Sequence, residues 1–340
     1  MSTEMIDALR LMTRGAYALQ KIRIQEGLRL CANFRDKLKE SVDEEATEEG
    51  ELSEKAEKLI DGLKAEYRRL TDGIAKNRTL PKREGFIGSG VISDFTELVL
   101  VHQYLALEKQ EREHFRHIGE TLEAIPIWNH WLAQQRGIGP AMGAVLISYF
   151  DVNRAERPSQ FYAIAGLDVG PGLESDPDHK LARSRRKEHL IEREYVNKRG
   201  EIKTKLSTTF DPWLQSRLLG VLGASLMRLG SPYKKYYDNY KHRIMTDPNR
   251  RKGTLADKKA DRDKGIIKED IWHPLRIHRA SQRYLVKQFI GDFWRAWRTL
   301  EGLPVVPTYH EAVLGHQHHG EKGPDLSHIY RAMQEKKNVK

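Results

Sequence analysis

The stretch Arg136-Gly137-Ile138-Gly139-Pro140 joins two apolar segments and decides the fold of the second half of this 340-residue chain. Trp128, Trp131 and Leu132 precede it at helical spacing. Pro126 suits the first turn of that helix, because its missing N–H would have no partner there anyway. The spacing therefore predicts a helix that begins at Pro126 and leads into the glycine-rich turn.

The turn itself has the residues that end one helix and begin another. Gly137 stops the first helix, and Gly139 allows a tight turn before Pro140 opens the second. The second helix has small and branched apolar residues that allow close packing: Ala141, Ala144, Val145 and Ile147. The pattern predicts two closely packed helices joined by a sharp turn.

Such a turn is also suited to an anion. Unsatisfied N–H groups and the helix dipole both favour a phosphate oxygen at a helix N-terminus. We expect Gly137, Ile138 and Gly139 to present backbone donors and Arg136 to add a formal charge. This is the arrangement of a helix-hairpin-helix that grips nucleic acid without reading its sequence. A tight corner with no ligand has the same glycine pattern, and that alternative stays open.

A third helix follows the pair. Pro158 is placed to start it, Phe161, Tyr162, Ile164 and Ala165 form its apolar side, and Gly166 ends it. Asp168 and the Gly170-Pro171-Gly172 break come next, ahead of a strongly basic stretch. The three helices predict a compact helical module with positive charge beside it.

This order of segments resembles the C-terminal domain of the DEDD-type insertion-sequence transposases, the RNA-guided recombinase family. The run from Gly137, the Tyr149-Phe150-Asp151 end of the second helix and the Ala165-Gly166-Leu167 end of the third carry the resemblance. Trp213 to Leu229, followed by Ser231-Pro232-Tyr233, looks like the family's next two helices. The resemblance covers roughly residues 120 to 245 and implies DNA transposition or recombination.

The chain also departs from that family. The family's RNase-H-like domain, with its four acidic metal ligands, has no counterpart in the first 125 residues, so Mg²⁺ is expected only through a partner domain. The family places a nucleophilic serine soon after the third helix. Ser175 lies near that distance without the flanking Gly-Lys, and it is the candidate nucleophile; a serine in a solvated loop is the alternative. Ser207 is the weaker candidate.

The composition bounds the class of protein. A formal charge of +10 and a pI near 9.4 favour polyanionic partners, DNA first and structured RNA as the alternative. A single cysteine, Cys31, excludes an internal disulfide and indicates a reducing, cytoplasmic setting. The sequence has no apolar run of the length of a membrane span, so no membrane partner is expected.

Residues 1–76 read as an N-terminal helical hairpin or coiled coil. Ile6 to Leu38 is amphipathic, and a second helix begins with Ser53 as its N-cap. Such a hairpin is typical of packing, of homo-oligomers or of contact with a helical partner. RNA contact is the alternative, through the basic residues Arg10, Arg14, Lys21, Arg23, Arg29 and Arg35.

The remaining boundaries follow from composition. Residues 77–92 read as a linker, and Ser93 is expected to cap a helix to about Leu122 that opens the transposase-like domain, 93–245. Residues 172–208 form its basic insertion. Residues 246–272 read as a basic loop, 273–302 as a packing helix, and 303–340 as a His-rich tail whose spacing matches no structural metal site, so no metal is expected.

Two basic segments complete the expected nucleic-acid surface. Lys180 to Lys205 holds ten Lys/Arg against four Glu, which is typical of a solvated arm, and we expect it to contact nucleic acid together with the turn. The residues concerned are Arg183, Arg185, Arg186, Lys187, Lys203 and Lys205. Lys234 and Lys235 alternate with Tyr233, Tyr236, Tyr237 and Tyr240, a pattern that suits base stacking or, alternatively, a sealed core.

The sequence thus predicts an all-α protein with an N-terminal helical hairpin and a C-terminal helix-hairpin-helix domain. We expect a nucleic-acid-binding protein of transposase or recombinase type. The competing class is a structural protein that uses its N-terminal amphipathic helices to bind a partner.

Overall fold

The computed structural model describes residues 3–38, 52–71, 80–168, 190–197, 199–228, 230–263 and 271–307. The chain forms two compact units, Met1–Leu122 and Glu123–Lys340. Both are mainly helical, as the sequence predicts. The strict all-α prediction is wrong in one respect, because the second unit also contains a two-stranded antiparallel hairpin.

The first unit contains three long helices, α1 (Thr3–Leu38), α2 (Glu54–Thr71) and α3 (Phe95–Leu122). Ser53 caps α2 as predicted, because its Oγ accepts from the N–H of Ala56 at 3.2 Å. The start of α3 differs from the prediction. Its cap is Asp94, whose Oδ1 accepts from the N–H groups of Thr96 and Glu97 at 2.7 and 3.0 Å, and not Ser93.

The three helices of the first unit share one apolar core. Phe34 of α1, Ile60 and Leu63 of α2, and Leu98 of α3 are all at most 2% exposed. The helix α3 therefore belongs with the N-terminal helices, whereas its sequence position led us to assign it to the following domain. Cys31 lies in this core at 3% exposure, with its Sγ 3.9 Å from the carbonyl oxygen of Ala56.

Polar pairs connect the same three helices. Arg23 of α1 forms a largely buried ion pair with Glu111 of α3, and its Nη1 also donates to Tyr104 Oη at 3.2 Å. Arg23 was one candidate for RNA contact, but its guanidinium is already engaged inside the unit. Lys64 of α2 donates to Glu108 of α3 at 2.6 Å. These pairs fix which faces of the helices meet.

The second unit consists of eight helices and one hairpin within its described residues. Their order is α4 (Pro126–His130), a 3-10 turn (Leu132–Gln134), α5 (Pro140–Tyr149), α6 (Pro158–Ile164), β1 (Leu190–Val196), β2 (Ile202–Thr208), α7 (Pro212–Ser216), a π-helical turn (Arg217–Leu222), α8 (Gly223–Arg228), α9 (Lys234–Thr246), α10 (Leu255–Asp263) and α11 (Pro274–Glu301). The helix starts predicted at Pro126, Pro140 and Pro158 are confirmed, and Pro212 and Pro274 occupy the same first position in α7 and α11.

The helix α11 is the centre of the second unit, and α4, α6, α8 and α9 pack on it. Its aromatic residues form a buried cluster with those of the helix pair: Trp131, Phe150, Phe161, Phe289, Phe293 and Trp297. Edge-to-face and offset contacts of this kind add to the free energy gained from burial. The aromatic stripe predicted for this helix is therefore core.

Trp294 of α11 also bonds to the loop between α5 and α6, because its Nε1 donates to the carbonyl of Ala155 at 2.8 Å. The side chain of Gln282 occupies the space beside Gly223, since a Cβ at Gly223 would lie 2.8 Å from the Cγ of Gln282.

Two segments predicted to be irregular contain regular structure. The basic stretch expected to be a solvated arm includes the hairpin β1–β2, and the basic loop at 246–272 includes the helix α10. Among the described residues, no helix is long and apolar enough to cross a membrane. All six tryptophans belong to the second unit, since the first 122 residues contain none.

Candidate nucleic-acid interface

The turn Arg136–Pro140 opens α5 as predicted, but the helix predicted to lead into the turn ends at His130, and the 3-10 turn Leu132–Gln134 leads into Arg136 instead. Gly137 has φ +97°, a conformation that side chains with a Cβ rarely adopt. A Cβ at Gly137 would also lie 3.2 Å from the carbonyl oxygen of Ser225 in α8. Glycine is therefore required here by backbone conformation and by the close approach of a second helix.

The turn offers fewer donors than the sequence led us to expect. The N–H of Ile138 donates to the carbonyl of Gln135 at 3.0 Å, and its side chain is only 7% exposed. Ile138 is thus a structural residue, and its expected role as a phosphate donor is corrected. Its apolar side chain anchors the turn to the core.

The exposed part of the turn is the start of α5. Gly139 is the N-cap residue. Because glycine has no side chain, no cap hydrogen bond is made at this helix start, and Pro140 occupies the first helical position. The N–H groups of the first turn of a helix have no partner within the helix. Arg136 is exposed beside this start, with Nη1 3.8 Å from the Cβ position of Gly230. An uncapped helix start with an arginine next to it remains as the anion-binding feature of the turn.

The hairpin β1–β2 presents a second, larger basic feature. In its register Arg193 pairs with Lys205, and Tyr195 pairs with Lys203. Directly paired residues project to the same face of a two-stranded sheet, and alternate residues along a strand share a face. These four residues therefore form one face, which we call the cationic face. The ammonium of Lys205 lies 5.1 Å from the Tyr195 ring centroid, in agreement with this placement.

The opposite face of the hairpin has a different character. Glu192 and Glu194 lie on it, together with the directly paired Val196 and Ile202, which are 66% and 70% exposed. The hairpin thus separates positive charge from negative charge within a few residues. Because its described strand residues from Glu192 to Lys205 face solvent, both faces are accessible.

The base of the hairpin is attached to the end of α6. Thr208 Oγ1 donates to the carbonyl of Phe210 at 2.8 Å, and the N–H of Asp211 donates to the carbonyl of Ile164 at 3.1 Å. The Asp211 carboxylate then caps α7 by accepting from the N–H groups of Trp213 and Leu214. The second strand therefore continues into a fixed helix start.

The tyrosines of α9 are structural. Tyr233 donates to Asp292 Oδ2 at 3.0 Å, Tyr237 hydrogen-bonds His278 Nδ1 at 2.7 Å, and Tyr240 stacks on Tyr284 with ring centroids 4.6 Å apart. These contacts hold α9 against α11. They agree with the alternative in which the tyrosines seal a core and do not stack on bases.

Lys234 and Lys235, the two candidate lysines at the start of α9, remain exposed. Lys234 pairs with Asp238 at 2.5 Å, and the ammonium of Lys235 lies 5.0 Å from the Tyr236 ring centroid. Arg183, Arg185, Arg186, Lys187 and the candidate nucleophile Ser175 lie outside the described residues. Among the described residues, no group of three or more His, Cys, Asp or Glu is placed to hold a metal ion.

Sequence reasoning missed two members of the cationic face, Arg193 and Tyr195. The signal was present, because Glu192 and Glu194 alternate with Ile191, Arg193 and Tyr195 at the two-residue period of a strand, and Gly200 lies in the turn that follows, with φ +79°. It also missed Trp272, whose ring lies between the guanidinium groups of Arg250 and Arg276 at 4.4 and 4.2 Å. That arrangement joins residues far apart in the sequence.

The positive charge is concentrated in the second unit. Residues 1–122 contain 20 Lys/Arg and 23 Asp/Glu, a net charge of −3, whereas residues 123–340 contain 38 and 25, a net charge of +13. The excess of the whole chain therefore comes from the unit that carries the turn and the hairpin. Comparison of the chain with models of protein families, with curated protein sequences and with solved structures gave no match.

Proposed function

We propose that the second unit binds the phosphate backbone of nucleic acid, with duplex DNA as the first partner and structured RNA as the alternative. The observation that carries this proposal is the cationic face of the β1–β2 hairpin. A two-stranded ribbon has dimensions that the major groove of B-DNA admits. With Arg193, Lys203 and Lys205 toward the phosphates, Glu192 and Glu194 on the other face would point away from them.

The helix-hairpin-helix turn supplies a second contact in this proposal. Arg136 and the uncapped start of α5 at Gly139 hold one phosphate by charge and by backbone donors. Lys234 and Lys235 follow the end of α8. They come four and five residues after Gly230, the residue that Arg136 approaches. None of these groups reads base edges, so the binding is expected to be independent of sequence.

The ribbon contact is tested with two variants that change the net charge by the same amount. Lys203→Gln with Lys205→Gln removes two positive charges from the cationic face. Ile202→Glu with Thr204→Glu adds two negative charges at neighbouring exposed positions on the opposite face of the same strand. Duplex DNA binding is measured at several salt concentrations from about 50 to about 200 mM.

We expect the first variant to weaken binding and to reduce the slope of log K against log salt by about 1.8, since each phosphate contact contributes about 0.9. The second variant is expected to change the slope little, because charges on the far face are screened over a Debye length of about 8–10 Å. Equal effects from the two variants would mean that only net charge matters and would overturn the ribbon contact.

The turn is tested with Gly139→Asp. A Cβ at Gly139 meets open space and its φ is −95°, so the substitution fits the backbone. Aspartate is a good N-cap, and its carboxylate would occupy the donors of α5 and repel phosphate. We expect intact folding and weaker DNA binding. Unchanged binding would make the turn a scaffold only. Gly137 is unsuitable for this test, because any side chain there is strained.

By its resemblance to the DEDD-type transposases, we place this binding in DNA transposition or recombination. In that setting Ser175 Oγ would attack a phosphodiester phosphorus and form a phosphoserine ester with one DNA end. The P–O bond to the other DNA end would break, and that end would leave as a deoxyribose hydroxyl that takes up the proton lost by the serine, with Mg²⁺ supplied through a partner domain. The test is strand transfer by the wild-type chain and by Ser175→Ala, in the presence of Mg²⁺. Loss of the covalent protein–DNA product in the variant is expected, and an unchanged yield would overturn the role of Ser175.

A second candidate function, contact with a helical partner, is favoured by an apolar stripe on α1. Ala8, Leu11, Ala18 and Ile22 recur at spacings of three, four and seven residues, and Leu11 and Ile22 are 73% and 45% exposed. A second copy of this helix is the simplest partner. We expect Leu11→Lys with Ile22→Lys to reduce the molar mass measured by light scattering. An unchanged mass would exclude this stripe as an oligomer interface.

A further inference from the structure

Two cations of α11 lie one helical turn apart beside the end of α6. Arg283 Nη2 donates to the carbonyl of Gly166 at 2.5 Å and to that of Asp168 at 3.1 Å. Gln215 Nε2 donates to the same Gly166 carbonyl at 2.7 Å. Arg283 is therefore fixed in place by the last carbonyl groups of the α6 region, and its guanidinium charge has a defined position.

Lys287 follows Arg283 by four residues and has a different environment. Its ammonium lies 4.7 Å from the centroid of the Tyr162 ring. Within the described part of the chain, it has no hydrogen-bond acceptor. The side chain is half-buried, so the ammonium has lost part of its hydration and has gained only a ring face in return.

The charges around this ammonium are not balanced. Burial lowers the pKa of Lys287, the charge of Arg283 lowers it further, and Asp168 acts in the opposite direction. Burial also lowers the pKa of Arg283. Among the described residues, Asp168 is the carboxylate that acts on both of these half-buried cations, and a further anion at this position would stabilise both of them.

We propose that Lys287 and Arg283, with Tyr162 as the wall, form a binding site for a phosphate-type oxyanion. Lysine binds phosphate as a point charge with several donors, and a pre-positioned arginine adds charge without a further loss of side-chain entropy. The site is separate from the cationic face, but it lies at the end of α6 to which the base of the hairpin is attached. Free phosphate and a phosphodiester of nucleic acid share this chemistry.

The test uses inorganic phosphate as the probe, in the absence of nucleic acid. Binding to the full chain is measured by calorimetry, with chloride at equal ionic strength as the reference. The variant is Lys287→Met, which keeps an unbranched chain over the Tyr162 ring. Lys241→Met is the matched control, because that ammonium also lies near a tyrosine ring, 5.8 Å from the Tyr237 centroid, but is exposed. Tryptophan fluorescence checks the fold of the second unit.

We expect phosphate binding by the wild-type chain and by Lys241→Met, and at least about tenfold weaker binding by Lys287→Met. Lys287→Arg, which keeps the charge, is expected to retain most of the affinity. Equal binding by Lys287→Met, or no binding by the wild-type chain, would overturn the site.

A second readout does not depend on the folding of any variant. Acetylation of amines in the wild-type chain, followed by mass spectrometry, should show protection of Lys287 by phosphate and no protection of Lys241. Absence of protection would count against the site. A short DNA duplex that abolishes phosphate binding identifies the ligand as a phosphodiester, and phosphate binding unaffected by the duplex identifies free phosphate. Because the probe is phosphate alone, failure here is distinguishable from failure of the ribbon contact.

Discussion

Individual side chains decide which helix faces meet in the first unit, and the pair Arg23–Glu111 is the clearest case. Both side chains are largely buried, at 17% and 10% exposure, and Tyr104 accepts a further hydrogen bond from the guanidinium. The hydrogen bond and the charge of Glu111 oppose the effect of burial, and the net result is a raised pKa of Arg23. Removal of one partner would leave the other charge buried and uncompensated.

We therefore expect Arg23→Met to lower the free energy of unfolding by about 3 kcal/mol, and Arg23→Met with Glu111→Leu to recover more than half of that loss. Urea unfolding of the full chain followed by circular dichroism measures both. The exposed pair Lys109–Glu113 serves as the control, since its loss should cost less than about 1 kcal/mol. A double variant as unstable as the single one would contradict the ion-pair argument.

A second residue-scale prediction concerns His273, the N-cap of α11. Its Nδ1 accepts from the N–H of Arg276 at 3.2 Å, so the imidazole must be unprotonated at that atom. Burial lowers its pKa below the ordinary 6.5, and the charges of Lys258, Arg276 and Arg279 lower it further. The unfolded chain then binds a proton more readily than the folded chain does.

The stability from His273 is thus present above pH 6.5 and decreases as the pH falls through 6.5 toward the lower folded-state pKa. We expect the Tm, followed by tryptophan fluorescence, to drop between about pH 7.5 and about pH 5.5, and His273→Asn to reduce that drop, because asparagine caps a helix without titrating. An identical drop in the variant would assign the pH dependence to other groups.

At the scale of elements, α11 holds the second unit together by polar as well as apolar contacts. Arg298 Nη1 donates to the carbonyls of Val152 and Ala155 at 3.1 and 2.9 Å, and its Nε donates to Pro304 at 2.6 Å. One arginine thus fixes both the α5–α6 loop and the chain after α11. We expect Arg298→Lys to be destabilised by about 2 kcal/mol, because an ammonium cannot reproduce the planar fork. Thermal unfolding followed by tryptophan fluorescence checks this, and a Tm equal to that of the wild type would contradict it.

The elements also show how much could be predicted from sequence. Helix starts were readable because Pro140, Pro158, Pro212 and Pro274 act locally, and Asp211 caps its own helix. The hairpin was missed because the density of charge around Arg193 indicates a solvated arm, whereas cross-strand pairing with Lys205 depends on partners twelve residues apart. The burial of the Ile138 side chain and the site at Lys287 depend on tertiary contacts, which local patterns do not contain.

At the scale of the whole molecule, charge divides the chain into two parts of opposite sign. The first unit has a net charge of −3 and the second a net charge of +13. This division could be predicted only in part, because assigning α3 to the second domain placed its acidic residues on the wrong side of the boundary. The basic residues of α1 counted as candidates for RNA contact belong to an acidic unit.

We therefore expect Lys21→Glu, at an exposed position of α1, to leave the salt dependence of DNA binding unchanged. This substitution alters the net charge by the same amount as Lys203→Gln with Lys205→Gln in the ribbon. The slope of log K against log salt is the measurement. A reduction of about 1.8, equal to that expected for the ribbon variant, would show that the first unit also contacts phosphate.

Because Cys31 is buried, its reaction with a thiol reagent reports the opening of the first unit. Burial raises the pKa of this thiol to about 11, and the side chain lies between α1 and α2, so a thiol reagent at neutral pH reacts only after the helices separate. Since the chain has no other cysteine, each covalent adduct records one such separation. We therefore compare the rate of adduct formation under native conditions with the rate in the urea-unfolded chain. The ratio measures how often α1 and α2 separate in the native protein.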